Sequence, residues 1–226
     1  RDVAPSRGLG DVYKRQLKVW AELGFSFDVV STGMILSAEQ AALVSDFCEQ
    51  SAKKGALVFV DPIMGDEGKL YNGVGEETVA HMRKMVAVAD CIVPNYTEAA
   101  YLADMPYHED MTEEEARALT IRLHEMGAKS VVVTSAKVDG ENCVVGYDGT
   151  EGEFFRIPFD LIPVRFVGTG DIFAAVMLGR LVDGVPLQES THRAMDAVRT
   201  MIDRNRDKED KYLGIPIETC LEVLDE

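Results

Sequence analysis

Thr112-Glu113-Glu114-Glu115 opens a segment that closes at Gly127 and gives way to Ser130-Val131-Val132-Val133-Thr134, and this succession decides the fold class. A threonine with glutamate three residues later is a capping box, in which the two side chains satisfy each other's backbone N–H groups at a helix start. The valine run has no polar alternation, the mark of a strand covered on both faces. Upstream the same unit recurs: the apolar run Val29-Val30-Ser31-Thr32 precedes Ser37-Ala38-Glu39-Gln40, a second capping-box signature whose helix closes at Gly55. Ala56-Leu57-Val58-Phe59-Val60-Asp61 is the next buried strand. A loop with Gly65, Gly68, Gly73 and Gly75 leads to a helix over 76–88, Cys91-Ile92-Val93 is a short strand, and 97–103 is a helix. Three or more such units in succession predict a mostly parallel sheet with helices on both sides, whose ligands gather at the carboxyl ends of the strands. Downstream, 142–147 and 153–158 flank Asp148-Gly149-Thr150 as an antiparallel hairpin. Helices follow from Asp171 and, beyond Gly184 and Pro186, up to Asn205, and residues 215–224 close the chain.

Composition bounds the function. The chain has 226 residues, 46% of them hydrophobic, and can bury the core of one domain. Its net charge of −16 is spread through the helices, which disfavours nucleic acid and anionic membrane surfaces as partners. No apolar run approaches the roughly eighteen residues of a membrane span, and no signal peptide is recognisable, so a cytoplasmic protein is expected. Cys48, Cys91, Cys143 and Cys220 have no paired spacing and read as buried thiols, not as a zinc site or a disulfide framework. His81, His108, His124 and His192 stand singly and read as structural.

Residues 1–16 differ from the rest. They carry four basic and two acidic side chains against an acid-rich remainder, and no periodicity is evident. They are expected to be a non-native or unstructured lead-in, with the folded domain over 17–226.

Gly168-Thr169-Gly170-Asp171, followed by Ile172-Phe173-Ala174-Ala175-Val176, reads as a helix that begins on an anion site. Two glycines let successive N–H groups point outward together, and the helix dipole adds partial positive charge. An aspartate there repels phosphate, but it suits a base that takes a proton from an attacking hydroxyl. An ordinary loop with a capping aspartate would spell the same letters. The other strand ends offer Asp61, Asn95 and Glu98, hard oxygen donors suited to Mg²⁺ beside nucleotide phosphates, and then Thr134-Ser135. Each has a plain structural reading as a turn residue or a first-turn acid; their placement on one sheet edge favours a site.

Together, Asp61-Pro62-Ile63-Met64-Gly65-Asp66 with Gly68-Lys69-Leu70-Tyr71, Pro94-Asn95-Tyr96-Thr97-Glu98 and Gly168-Thr169-Gly170-Asp171 resemble the ribokinase superfamily and, within it, the pyridoxal kinases with their pyridoxamine kinase branch. The similarity covers about residues 20–205 in the family's order and spacing. It implies an α/β three-layer αβα ribokinase-like fold with a mostly parallel sheet, and ATP-dependent phosphorylation of the 5′-hydroxymethyl group of pyridoxal, pyridoxamine or pyridoxine. By the resemblance, Asp171 is the base, at the substrate hydroxyl, and Gly168, Thr169 and Gly170 stabilise the transferring phosphoryl group. Asn95 and Glu98 organise Mg²⁺ and its waters, Asp61, Val93 and Thr134 line the nucleotide phosphates, and Arg156, Ile157, Pro158 and Phe159 lie beside the adenine. A monovalent cation such as K⁺ near the anion hole and a homodimer are usual in that family.

Hydroxymethylpyrimidine kinases are similar but typically place cysteine where this chain has Asp171, and sugar kinases typically differ around Asp61 and lack the Gly65 to Tyr71 loop. Both stay open as alternatives, as does a nucleotide-binding module without catalysis. The resemblance also implies an earlier strand, glycine loop and helix that nothing before Asp28 supplies. First strands are therefore expected to be missing, and this chain is expected to have little kinase activity.

Overall fold

The computed structural model describes residues 7–224, with side chains from Val12 onward. Its central sheet has six strands in the order β1 (Val29–Thr32), β2 (Leu57–Val60), β5 (Cys91–Ile92), β6 (Ser130–Val138), β7 (Glu141–Asp148) and β8 (Glu153–Pro158). The first four are mutually parallel, while β7 runs antiparallel to both β6 and β8. A two-stranded hairpin, β3 (Gly65–Asp66) with β4 (Lys69–Leu70), stands apart from the sheet.

Alternation along the strands sets the layers. Val58 and Val60 of β2, Val131 and Val133 of β6, and Cys143 and Val145 of β7 face a core built with α2 (Ala38–Ala52), α3 (Glu76–Val86), α4 (Tyr96–Ala103) and α5 (Glu113–Glu125). Phe59, Val132 and Val144 point the other way, onto Phe173 and Met177 of α6 (Thr169–Val182) and Leu187 and Ala194 of α7 (Leu187–Asn205). Side chains one residue apart in a strand point to opposite faces, so a strand covered on both sides must be apolar throughout. The result is the expected αβα arrangement. A third cluster, with Phe166, Ile172, Met201, Ile215 and Val223, docks the C-terminal segment on α6 and α7.

The helix starts follow their local chemistry. Thr112 and Glu115 form the expected reciprocal box. At α2, Ser37 Oγ accepts the Gln40 N–H, but the Gln40 side chain accepts from Leu36 N–H instead of from Ser37. All four cysteines are buried and free. Among the described residues no helix is long and apolar enough to cross a membrane.

Three expectations need correction. Residues 7–16, expected to be unstructured, belong to a helix, α1 (Arg7–Glu22); residues 1–6 lie outside the described residues. Tyr13, Leu17 and Trp20 do recur at i, i+4 and i+7, and the Trp20 ring meets Phe27 at 5.3 Å and Phe47 of α2 at 6.3 Å. Tertiary aromatic packing thus supplies what a short, glycine-containing helix lacks by itself. The glycine loop after Asp61 also contains the β3–β4 hairpin. Strand β6 runs four residues beyond Thr134, past a bulge at which Ser135 takes a left-handed φ of 56°.

Candidate active site

Because β1, β2, β5 and β6 are parallel, Thr32, Asp61, Asn95 and Thr134 lie at or just beyond one edge of the sheet; β8, parallel to β6 through β7, delivers Pro158 to the same edge. An isolated parallel bridge joins Asn95 to Thr134, and the Thr134 N–H donates to Pro94 O at 2.9 Å.

The centre of this rim is a second capping box. Asn95 Oδ1 accepts from Glu98 N at 3.0 Å, and Glu98 Oε2 accepts from Asn95 N at 2.9 Å. Glu98 is only 3% exposed, and its other oxygen accepts from Met64 N at 2.9 Å and Gly65 N at 3.4 Å. Asn95 Nδ2 returns a bond to Gly65 O at 2.8 Å, and Thr97 Oγ1 accepts from Gly68 N at 2.8 Å. The loop after β2 is thereby sewn to the start of α4. Gly65 is required by space, since a Cβ there would run into Lys69 O and come within 2.9 Å of Leu70 Cα.

Burial pushes the Glu98 carboxyl up to about 7; the three backbone N–H bonds pull it down, and the charge of Asp61 adds to the rise. Asp61 itself is raised to about 7, first by burial and then by the charge of Asp171. Losing water costs the charged form of an acid, and a second negative charge costs it further. Among the described residues Asp61 makes no side-chain hydrogen bond and no ion pair.

Asp171 lies in the first turn of α6 and is exposed. Gly168, with φ 86°, is the N-cap; it has no side chain to cap the turn, so none shields the N–H groups that open α6. A left-handed φ strains any residue with a Cβ, which explains glycine here. The Asp171 carboxylate folds back over this turn, its Oδ2 3.8 Å from where a Gly168 Cβ would stand. The arrangement offers anion-binding N–H groups, one carboxylate above them and a second, half-buried carboxyl that feels its charge.

Other residues singled out from the sequence fare differently. Val93 is 6% exposed and packs in the α6/α7 core, so its side chain faces away from the rim. Arg156 is engaged by Val138 O and Glu141, each at 2.7 Å, and by Asp139 at 3.5 Å. Ile157 is core; Pro158 is exposed and Phe159 half-buried, leaving these two to border the crevice.

The sequence reading missed Thr32, whose buried hydroxyl has no partner, and Arg165, which reaches Asp66 and Glu67 at 2.6 Å each. A threonine-glycine pair ending a strand, and an arginine three residues before Gly168, were the available signals.

The family model for phosphomethylpyrimidine kinase matches residues 11–214. The chain belongs to the phosphomethylpyrimidine kinase family. Membership fits both the strand-end acids and the Gly168 turn. Pyridoxal kinase of Arabidopsis thaliana is 33% identical over 171 residues, covering 72% of this chain and 53% of the relative, and that of Homo sapiens is 33% identical with coverage of 67% and 53%. The chain spans about half the length of the curated relatives it matches. Among solved structures, a protein of Bacteroides thetaiotaomicron provisionally named phosphomethylpyrimidine kinase superposes with a TM-score of 0.92 at 33% identity, covering 96% of this chain and 76% of that one. Pyridoxal kinase from Lactobacillus plantarum superposes with a TM-score of 0.83 at 27% identity, with coverage of 96% and 78%. The ribokinase-like fold and the resemblance to pyridoxal kinases are thereby found in sequence and structure alike.

Proposed function

We propose that this chain carries the ATP site and base of a kinase that phosphorylates the 5′-hydroxymethyl group of pyridoxal, pyridoxamine or pyridoxine. One observation carries the proposal: Asp171 stands at the open N-terminus of α6 and acts electrostatically on Asp61 at the end of β2. The Asp171 carboxylate accepts the proton of the attacking hydroxyl, while the N–H groups of Thr169, Gly170 and Asp171 receive the charge that develops on the phosphoryl oxygens. A second crystal form of the Bacteroides thetaiotaomicron relative, 32% identical, was solved with pyridoxal, which supports this acceptor class.

Mg²⁺ fits the donor set. Asp61 is a half-buried, partnerless carboxyl under repulsion from Asp171, and a divalent charge would relieve both conditions. Among the described residues no group of three or more His, Cys, Asp and Glu side chains forms a ligand cage, which agrees with an ion that keeps waters and phosphate oxygens as ligands. Such an ion neutralises phosphate charge. Asp61 would face it, with Asn95 and Glu98 holding the strand end and orienting its waters; Thr134 and the segment from Arg156 to Phe159, through Pro158 and Phe159, would border the nucleotide. The reading extends to a cytoplasmic homodimer that uses K⁺ beside the cradle.

Phosphorylation of a hydroxymethylpyrimidine is the second reading, favoured by the name of the matched family. The carboxylate at 171, where those kinases typically carry cysteine, argues for the first. Radiolabelled ATP and Mg²⁺ with pyridoxal, pyridoxamine, pyridoxine, hydroxymethylpyrimidine and ribose separate them. The assay is run on the purified chain and on the chain extended by whatever residues its gene encodes upstream. Label transfer to the pyridines supports the proposal; transfer to the pyrimidine alone supports the second reading; ATP binding without transfer to any acceptor overturns both.

A further inference from the structure

The β3–β4 hairpin is held at two ends by different means. Its base is bonded to the capping box, through Gly65 to Asn95 and Glu98, and Gly68 N donates to Thr97. Its tip, Asp66 and Glu67, is gripped by the two terminal nitrogens of Arg165, about a hundred residues later in the chain and three residues before the Gly168 turn. Glu67 takes a left-handed φ of 51°, a conformation that strains a non-glycine residue and needs outside contacts to hold it. The hairpin borders the rim, because Gly65 is bonded to both Asn95 and Glu98.

We propose that Arg165 is a positioning residue: its guanidinium fork clamps the hairpin tip to the irregular segment leading into the Gly168 cradle, fixing the spacing between the Asp61 loop and the phosphate-binding turn. The inference rests on the kinase reading of that site. The fork also offsets two negative charges on a rim that already carries Asp61, Glu98 and Asp171 and must admit a triphosphate. Both partners of the ion pair are largely exposed, with side-chain exposures of 74% for Arg165 and 78% for Glu67. Such pairs are weak and screened by salt, so the clamp's effect is read as a few-fold change that fades as salt is raised.

The test compares the native chain with Arg165→Gln and Arg165→Lys by amide hydrogen exchange over residues 65–70 and by calorimetric affinity for MgATP. Arg165→Gln is expected to speed exchange at Gly68 about fivefold and weaken MgATP binding several-fold. Arg165→Lys, which cannot fork, should recover part of each effect. Raising salt to about 0.5 M should narrow the difference between native and Gln proteins. Unchanged exchange at 65–70, or a loosened hairpin with native MgATP affinity, overturns the proposal. Exchange is read without nucleotide, so a chain that binds no MgATP defeats the kinase reading while exchange still decides the clamp.

Discussion

Asp171 on α6 raises the carboxyl of Asp61, although one opens a helix and the other ends a strand more than a hundred residues earlier. Burial provides the larger part of the rise and repulsion the rest. Asp171→Asn should therefore have two effects that a mere cap would not couple. Turnover should fall by about 10²–10⁴-fold with ATP affinity within a few-fold, because shape is kept and the base is lost. The Asp61 carboxyl, followed by carbon-13 NMR, should titrate lower. A tenfold or smaller loss of rate would assign Asp171 to capping alone.

Stability should depend on pH in a direction unusual for carboxylates. Asp61 and Glu98 have folded values near 7, above their ordinary 3.8 and 4.5. Between those limits the folded chain holds protons that the unfolded chain has released, so stability is greatest below about 4 for these two groups and declines as pH rises through 7. Asp61→Asn should remove its part of the slope and raise the melting temperature at pH 8, by about 2–4 °C for each kcal/mol recovered. Calorimetric melting at pH 5, 6, 7 and 8 measures this; parallel profiles for variant and native protein would contradict it.

Mg²⁺, held as proposed, would compete with protons for Asp61. Its apparent affinity should climb as pH rises through about 7 and level off above, with protons released on binding. Titration calorimetry in buffers of different ionisation enthalpy counts those protons.

Glu98→Gln leaves one oxygen for Met64 and Gly65 but turns an NH₂ group toward the Asn95 N–H, or the reverse. At least one buried donor loses its acceptor, so urea unfolding should show a loss of about 1–3 kcal/mol. The Mg²⁺ requirement should rise along with it. Unaltered metal dependence would confine Glu98 to holding α4.

Gly65→Ala should cost about 1–3 kcal/mol, since the added methyl meets Lys69 O in a hairpin that has no room to open. Gly75→Ala, where open space surrounds the site, is the control and should be close to neutral.

The large alternation of strand and helix was legible because both faces of the sheet are covered, which leaves near-continuous apolar runs at Leu57–Val60 and Val131–Val133 between capped helices. The strand-end acids were legible for the same reason, since a parallel sheet sends every βα turn to one edge. Long-range contacts were not. The helicity of residues 7–16 rests on Trp20 meeting Phe47, and the hairpin at Gly65 has strands of only two residues, set by bonds to Asn95, Glu98 and Arg165. Val93 and Arg156 were placed at the nucleotide by resemblance, but burial turns one inward and four oxygen-bearing neighbours, Val138, Glu141, Asp139 and Glu113, surround the other.

Helix α4 is buried along all but one of its eight residues, with Asn95 and Glu98 locking its first turn. At the far end Arg83 of α3 donates to Tyr101 O and Leu102 O, both at 2.9 Å. A rod fastened at both tips acts as a fixed post. Any adjustment to the nucleotide proposed above is therefore expected away from this pillar, in segments held less firmly, such as the approach to Gly168.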